Sequence, residues 1–205
     1  NNVKIPPQLL FREGFKVAGD DTLLDVIQRY VLPALQTQLQ KSGIADASQL
    51  MASLFGDSGR IDTQAVLRQQ TALQLFMPIG HAILAAWESS DVDDPLAGLH
   101  ATFGDLLAQK PTRNVMNYLR QAIDHALPAG SEHFDLFSVP LHVSFREMQD
   151  AMLAGQFTLA APLHAVCEAI SHYSCDILLI TGGINEQNKP VVEQIYSQMP
   201  KPKVV

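Results

Sequence analysis

From Asp176 to Gly183 the chain reads DILLITGG, four consecutive large apolar residues closed by Thr181 and two glycines. A short, wholly apolar run bounded by turn residues predicts a strand buried on both faces, and such strands belong to parallel sheets covered by helices. Ile177 to Ile180 is the expected strand, which points to an α/β architecture. Ligands of open α/β sheets bind at the carboxyl ends of the strands. There Gly182 and Gly183 offer bare backbone that a ligand can approach closely or that can take positive φ. The same pair also suits a plain reversal of the chain.

The rest of the chain is rich in helical signals. Ala18-Gly19-Asp20-Asp21-Thr22 is a turn with cap-type residues. It opens a helix through Leu23, Ile27, Tyr30, Val31, Leu35 and Leu39, with Pro33 predicting a kink or break near Leu32 and Gly43 marking the end. Ala47, Leu50, Met51 and Leu54 predict a short helix within Asp46 to Phe55. Asp62 or Thr63 can cap a long helix running through Val66, Leu67, Leu73, Phe76 and Met77 to Ile83, Leu84 and Trp87, kinked at Pro78. Its middle is apolar almost all round, so it should be central. Glu88 to Pro95 reads as an acidic connecting loop, Leu96 to Leu107 as a helix, and Arg113 to Leu127 as another that uses Val115, Met116, Leu119 and Ile123.

Beyond the Pro128-Ala129-Gly130-Ser131 break the texture changes. Leu136 to Val143 alternates and suits a strand that Pro140 makes an edge or divides. Ser144-Phe145-Arg146-Glu147 is a capping box opening a helix, and further helices are expected over about Leu159 to Tyr173 and Pro190 to Met199. Phe15 to Val17 and Lys203 to Val205 read as strand pieces. No internal repeat and no flexible linker are evident. The expectation is one folded unit, helix-rich α/β, with a mainly helical lobe over 18–130 and a smaller α/β lobe made of 131–205 with 1–17.

Composition narrows the function classes. With 47% hydrophobic and 17% charged residues in 205, the chain can bury a real core. Its net charge is -7, and no Lys/Arg stripe stands ready to displace phosphate counterions, so no nucleic-acid partner is expected. Gln69 to Trp87 carries no formal charge, but Gln69, Gln70, Gln74, Pro78 and His81 interrupt it, and a buried helix is expected instead of a membrane span. Cys167 and Cys175 are too few for a disulfide framework and suit a reducing compartment. Asn1 opens the chain without a signal peptide, so a piece of a longer cytoplasmic protein is expected.

Taken in order, these features resemble the second half of an actin/Hsp70-type ATPase domain, in the ribonuclease-H-like superfamily that also holds sugar kinases. Gly19-Asp20-Asp21-Thr22-Leu23-Leu24-Asp25 is similar to the turn that opens a helix after the phosphate-binding hairpin, and DILLITGG is similar to the strand and GG adenosine motif. More narrowly, FREGFKVAGDDTLLDVIQRYVLPAL together with CDILLITG resembles SrfB-type virulence factors of enteric bacteria, over most of the chain. The resemblance implies nucleotide-binding residues at Thr181, Gly182, Gly183, Gly19, Asp20 and Asp21. It implies ATP and magnesium as ligands of the full-length bacterial protein and other virulence-associated proteins as partners. The superfamily's phosphate loops and metal carboxylates lie largely outside the segment matched here, so the segment is expected to need no cofactor and to catalyse nothing alone. Ile184-Asn185-Glu186 departs from the small or basic residues that usually follow the GG.

His164, Cys167, His172 and Cys175 have the offsets of soft metal ligands, but Leu163, Val166 and Ile170 mark that segment as core helix, where Cys is a small hydrophobe. Cys175 beside Asp176 lacks the electropositive setting of a nucleophile. Asp20, Asp21 and Asp25 could orient a magnesium-bound phosphate, whereas helix capping and the helix dipole account for them without a ligand. No spacing identifies a hydrolase triad. Two alternatives stay open beside the non-catalytic reading: part of an active ATPase, and a helical partner-binding module without nucleotide.

Overall fold

A computed structural model describes residues 19–56, 64–91 and 94–162, the helical residues 165 and 168, and the backbone of 177–178 and 203–204. The fold is helix-rich α/β. Helix α1 (Gly19–Val26) passes through a π-helical turn at Ile27–Val31 into α2 (Leu32–Lys41), and α3 (Ala47–Phe55) follows. Next, α4 (Ala65–Thr71) passes through a second π-helical turn at Ala72–Phe76 into α5 (Met77–Glu88). Strand β1 (Gly98–Thr102), the short α6 (Phe103–Leu106), α7 (Arg113–Ala126), a 3-10 turn (Leu136–Ser138), β2 (Pro140–Ser144) and α8 (Phe145–Leu153) complete the central part. Residues 160–162 are helical again, and β3 (Ile177–Leu178) and β4 (Lys203–Val204) stand near the end.

The prolines do not break their helices. Pro33 and Pro78 each sit two residues after the end of a π turn, in which the N–H of Leu32 reaches back five residues to the Ile27 carbonyl and that of Met77 to the Ala72 carbonyl. A proline inside an α-helix lacks its N–H and drives its ring into the carbonyl four residues back. Widening the preceding turn clears that clash and lets the helix continue. Of the kink or break expected near Leu32, the break does not occur: the helix continues through a π turn.

The two composite helices cross at Gly80, where a Cβ would lie 2.7 Å from Leu23 Cδ1 and 3.0 Å from Ile27 Cγ1. Around this crossing one core unites Leu35, Leu39, Leu75, Ile79 and Ile83 with Phe103, Leu119, Leu141 and Met148, all buried. The 67–87 segment supplies much of this core, as its apolar character predicts, although Leu73 stays 53% exposed. Phe76 packs edge-on against Phe55 with ring centroids 4.8 Å apart. Helix α7 spans nearly the predicted range and buries Val115, Leu119 and Ile123 along one face.

The helix expected over Leu96 to Leu107 is corrected to a strand and one turn of helix. β1 and β2 form an antiparallel ribbon in the register Leu99↔Val143, His100↔His142 and Ala101↔Leu141. Phe103 N–H donates to the Val139 carbonyl and Phe145 N–H to that of Ala97, at 3.0 and 3.1 Å. Hydrogen-bonded and non-hydrogen-bonded pairs alternate along such a ladder, which puts Pro140 opposite Thr102 in a non-hydrogen-bonded pair. Its missing N–H costs the ribbon nothing. β3 and β4 pair in parallel, Ile177 with Lys203 and Leu178 with Val204. No helix among the described residues is long and apolar enough to cross a membrane.

Candidate functional site

The residues singled out at the start of α1 divide in space. Gly19 is the first residue of α1, and Asp20 and Asp21 occupy its first turn, where carboxylates face the positive end of the helix dipole. Asp25, one turn on, is committed elsewhere. Its carboxylate accepts the Thr158 backbone N–H at 2.7 Å and the Thr158 hydroxyl at 3.1 Å. Thr181, Gly182 and Gly183 lie outside the described residues, as do His164, Cys167, His172 and Cys175. Among the described residues no group of three or more His, Cys, Asp or Glu side chains is placed to hold a metal ion.

The arrangement with chemical potential is one the sequence reading did not single out. The π turn and α2 run alongside β2, and a groove of about 330 Å³ opens between them, with Arg29, Tyr30, Thr37 and Lys41 on the helical wall and Pro140 and His142 on the strand. Arg29 Nη1 donates to Gln156 Oε1 at 3.1 Å, Nη2 donates to the Gln156 carbonyl, and the guanidinium stands 5.2 Å from the Phe157 ring centroid. Arg29 therefore clamps the segment that follows α8 and is held at the groove edge. Burial raises the pKa of the Tyr30 phenol; the Arg29 charge opposes the rise and Glu147 adds to it.

On the ribbon's exposed outer face, His100 and His142 meet with their Nδ1 atoms 2.8 Å apart, ring centroids 5.0 Å apart and rings tilted by 52°. A non-hydrogen-bonded antiparallel pair brings opposite side chains closest, so the register itself creates the contact. One ring donates Nδ1–H and the other accepts.

A sequence signal for this pair existed. Leu99-His100-Ala101-Thr102-Phe103-Gly104-Asp105 and Leu141-His142-Val143-Ser144-Phe145-Arg146-Glu147 share the pattern L-H-x-[TS]-F-x-[DE], against the expectation of no repeat. Both copies fold alike: a strand residue, an N-cap hydroxyl, a buried Phe and a helix. Thr102 and Asp105 form the full reciprocal capping box, while Ser144 accepts the Glu147 N–H at 3.3 Å. The two ladder bonds that end the ribbon, Phe103 to Val139 and Phe145 to Ala97, are also equivalent in the two copies. The copies are thus related by a local pseudo-twofold axis that passes between His100 and its counterpart His142.

No curated protein and no solved structure matches the chain. A family model described as virulence factor SrfB matches residues 1–201. That span takes in both copies of the histidine motif and the DILLITGG segment, so the chain belongs to the SrfB family of virulence factors.

Proposed function

We propose that residues 1–205 serve a SrfB virulence factor as a non-catalytic part of an actin/Hsp70-like domain, supplying one side of a nucleotide cleft and a helical interaction surface. The observation that supports this reading is the parallel pairing of Ile177–Leu178 with Lys203–Val204. Parallel neighbours need a crossover of a dozen or more residues, and the sequence of the intervening 179–202 carries both the Gly182-Gly183 pair and the signature of a helix. A glycine turn leaving the carboxyl end of such a strand is where an α/β sheet receives a ligand. The interaction surface would use apolar side chains that the helices leave outside, Val66 at 58% exposure and Leu73 at 53%, two turns apart.

Calorimetry with magnesium-ATP, on the full-length protein and on residues 1–205, tests the proposal. Full-length protein should bind, and Gly182→Val should weaken binding tenfold or more by filling the space a ligand needs, a loss of about 1.4 kcal/mol. Residues 1–205 alone should bind no more tightly than about millimolar, near -4 kcal/mol. Micromolar binding by residues 1–205, or none by the full-length protein, overturns it.

A further inference from the structure

The pseudo-twofold axis through the ribbon brings two imidazole nitrogens together on an exposed face where no packing requires it. Gly98 shows how closely the strands approach there: a Cβ on it would lie 2.7 Å from the Val143 carbonyl oxygen. Both histidines project from the centre of a five-residue strand, and each strand is anchored at its far end by a capped helix, α6 or α8. The backbone that carries the rings is therefore fixed, and only the ring torsions are free. A pair of nitrogen ligands on a fixed backbone is a chelate.

We propose that His100 and His142 form a two-histidine site for a divalent transition-metal ion of the copper(II) or nickel(II) class, bound on the local axis through both Nδ1 atoms. Imidazole nitrogen suits these ions, and affinity for divalent ions rises through nickel(II) to copper(II) and falls again at zinc. With metal–nitrogen bonds of about 2.0 Å, ligands cis at about 90° stand about 2.8 Å apart, whereas tetrahedral ligands stand about 3.3 Å apart. Two nitrogens already 2.8 Å apart reach either spacing by turning the rings, without moving the strands. Both rings are solvent-exposed and can turn their lone pairs from each other toward the ion. The ring that donates Nδ1–H in the pair shifts this proton to Nε2, where water accepts the hydrogen bond, which frees both Nδ1 lone pairs for the ion. Thr102 Oγ1 is committed to Asp105 at 2.7 Å. Water completes the coordination.

Titration of residues 1–205 with copper(II) and with nickel(II) chloride, followed by calorimetry and, for copper, by electron paramagnetic resonance, tests the site. One equivalent should bind, with a copper spectrum that shows two equivalent nitrogen ligands. His100→Ala and His142→Ala should each weaken binding at least tenfold, because the chelate is lost with its first arm, and the double variant should lose the remaining single-imidazole binding as well. Circular dichroism should show all variants folded, since both side chains are exposed. His81→Ala, which removes an exposed histidine from α5, should change nothing. Undiminished binding in the double variant, an equal loss in His81→Ala, or no binding of either ion overturns the proposal.

Discussion

Asp25 illustrates how a residue can be read correctly in type and wrongly in task. From sequence its carboxylate stood in a run of three acids at a helix start, suited to a cation or to the helix dipole. In the fold it reaches across 133 positions to take both donors of Thr158. Four residues on, Arg29 grips Gln156 and covers Phe157, so one end of the first composite helix holds the segment after α8 by two charged side chains. Sequence order carries no trace of such a pairing, because nothing about Asp25 names a partner so far along the chain. A charge-assisted bond at a partly exposed position should contribute about 1 kcal/mol. Asp25→Ala should therefore lower the urea midpoint by that equivalent with no change in slope, which equilibrium unfolding measures. Asp25→Asn should recover part of the loss, since its amide oxygen still accepts from Thr158.

At the scale of elements, the two composite helices were legible as helices, but their internal geometry was not. The buried series Leu23, Ile27, Val31, Leu35, Leu39 and Thr71, Leu75, Ile79, Ile83, Trp87 both advance by four residues. In an α-helix each such step overshoots a turn by about 40°, so four steps would swing the face by about 160°. A π turn absorbs one extra residue, about 100°, and holds each series on the core. The strict period of four was visible in the sequence, and the drift it implies is the clue to the π turns. Deleting Gln28 within the turn together with Pro33→Ala should restore plain α-helix and cost under about 1 kcal/mol, since the flanks keep their phase. Deleting the exposed Thr37 instead rotates Leu39 out of the core and should cost about 2–5 kcal/mol, as a Leu→Ala truncation does. Chemical denaturation of the two variants separates these outcomes. Elsewhere the 96–107 stretch defeated sequence reading because a short apolar run fits a helix face and a strand face equally. Only the partner strand, 42 residues on, decides between them.

For the whole molecule, an excess of acids sits over a core closed partly by hydroxyl-to-carboxylate caps. The Thr102 hydroxyl and then its backbone N–H hold Asp105 below the usual carboxylate pKa. Asp135 is held low first by the Ser138 hydroxyl, with burial opposing and the Phe137 N–H and Lys110 charge assisting. A lowered pKa in the folded state means stability that is present above the unfolded value, about 3.9, and is lost as pH falls through the folded value. The melting temperature should accordingly hold steady from neutral pH down to about 5 and fall below about 4. Asp135→Asn should flatten that fall in a calorimetric pH series. The helix-rich α/β class, the long helices and the cap at Ser144 were all legible because they rest on local periodicity and local hydrogen bonding. The histidine pair was not, because it exists only once two strands from distant parts of the chain lie side by side.

The Asp25–Thr158 contact also sets an order of events in time. During synthesis at about 5–20 residues per second, the 133 residues that separate Asp25 from its partner take roughly 7 to 27 s to add. The helices of the first half can collapse on one another within that interval, because their contacts along the chain are shorter. Closure onto Thr158 comes after them, because a contact so distant along the chain costs more loop entropy. In refolding experiments Asp25→Ala should then leave the folding rate nearly unchanged and speed unfolding, a φ-value near zero. The ends of the described core would open first under stress, with Asp25 and Arg29 as the latch that releases.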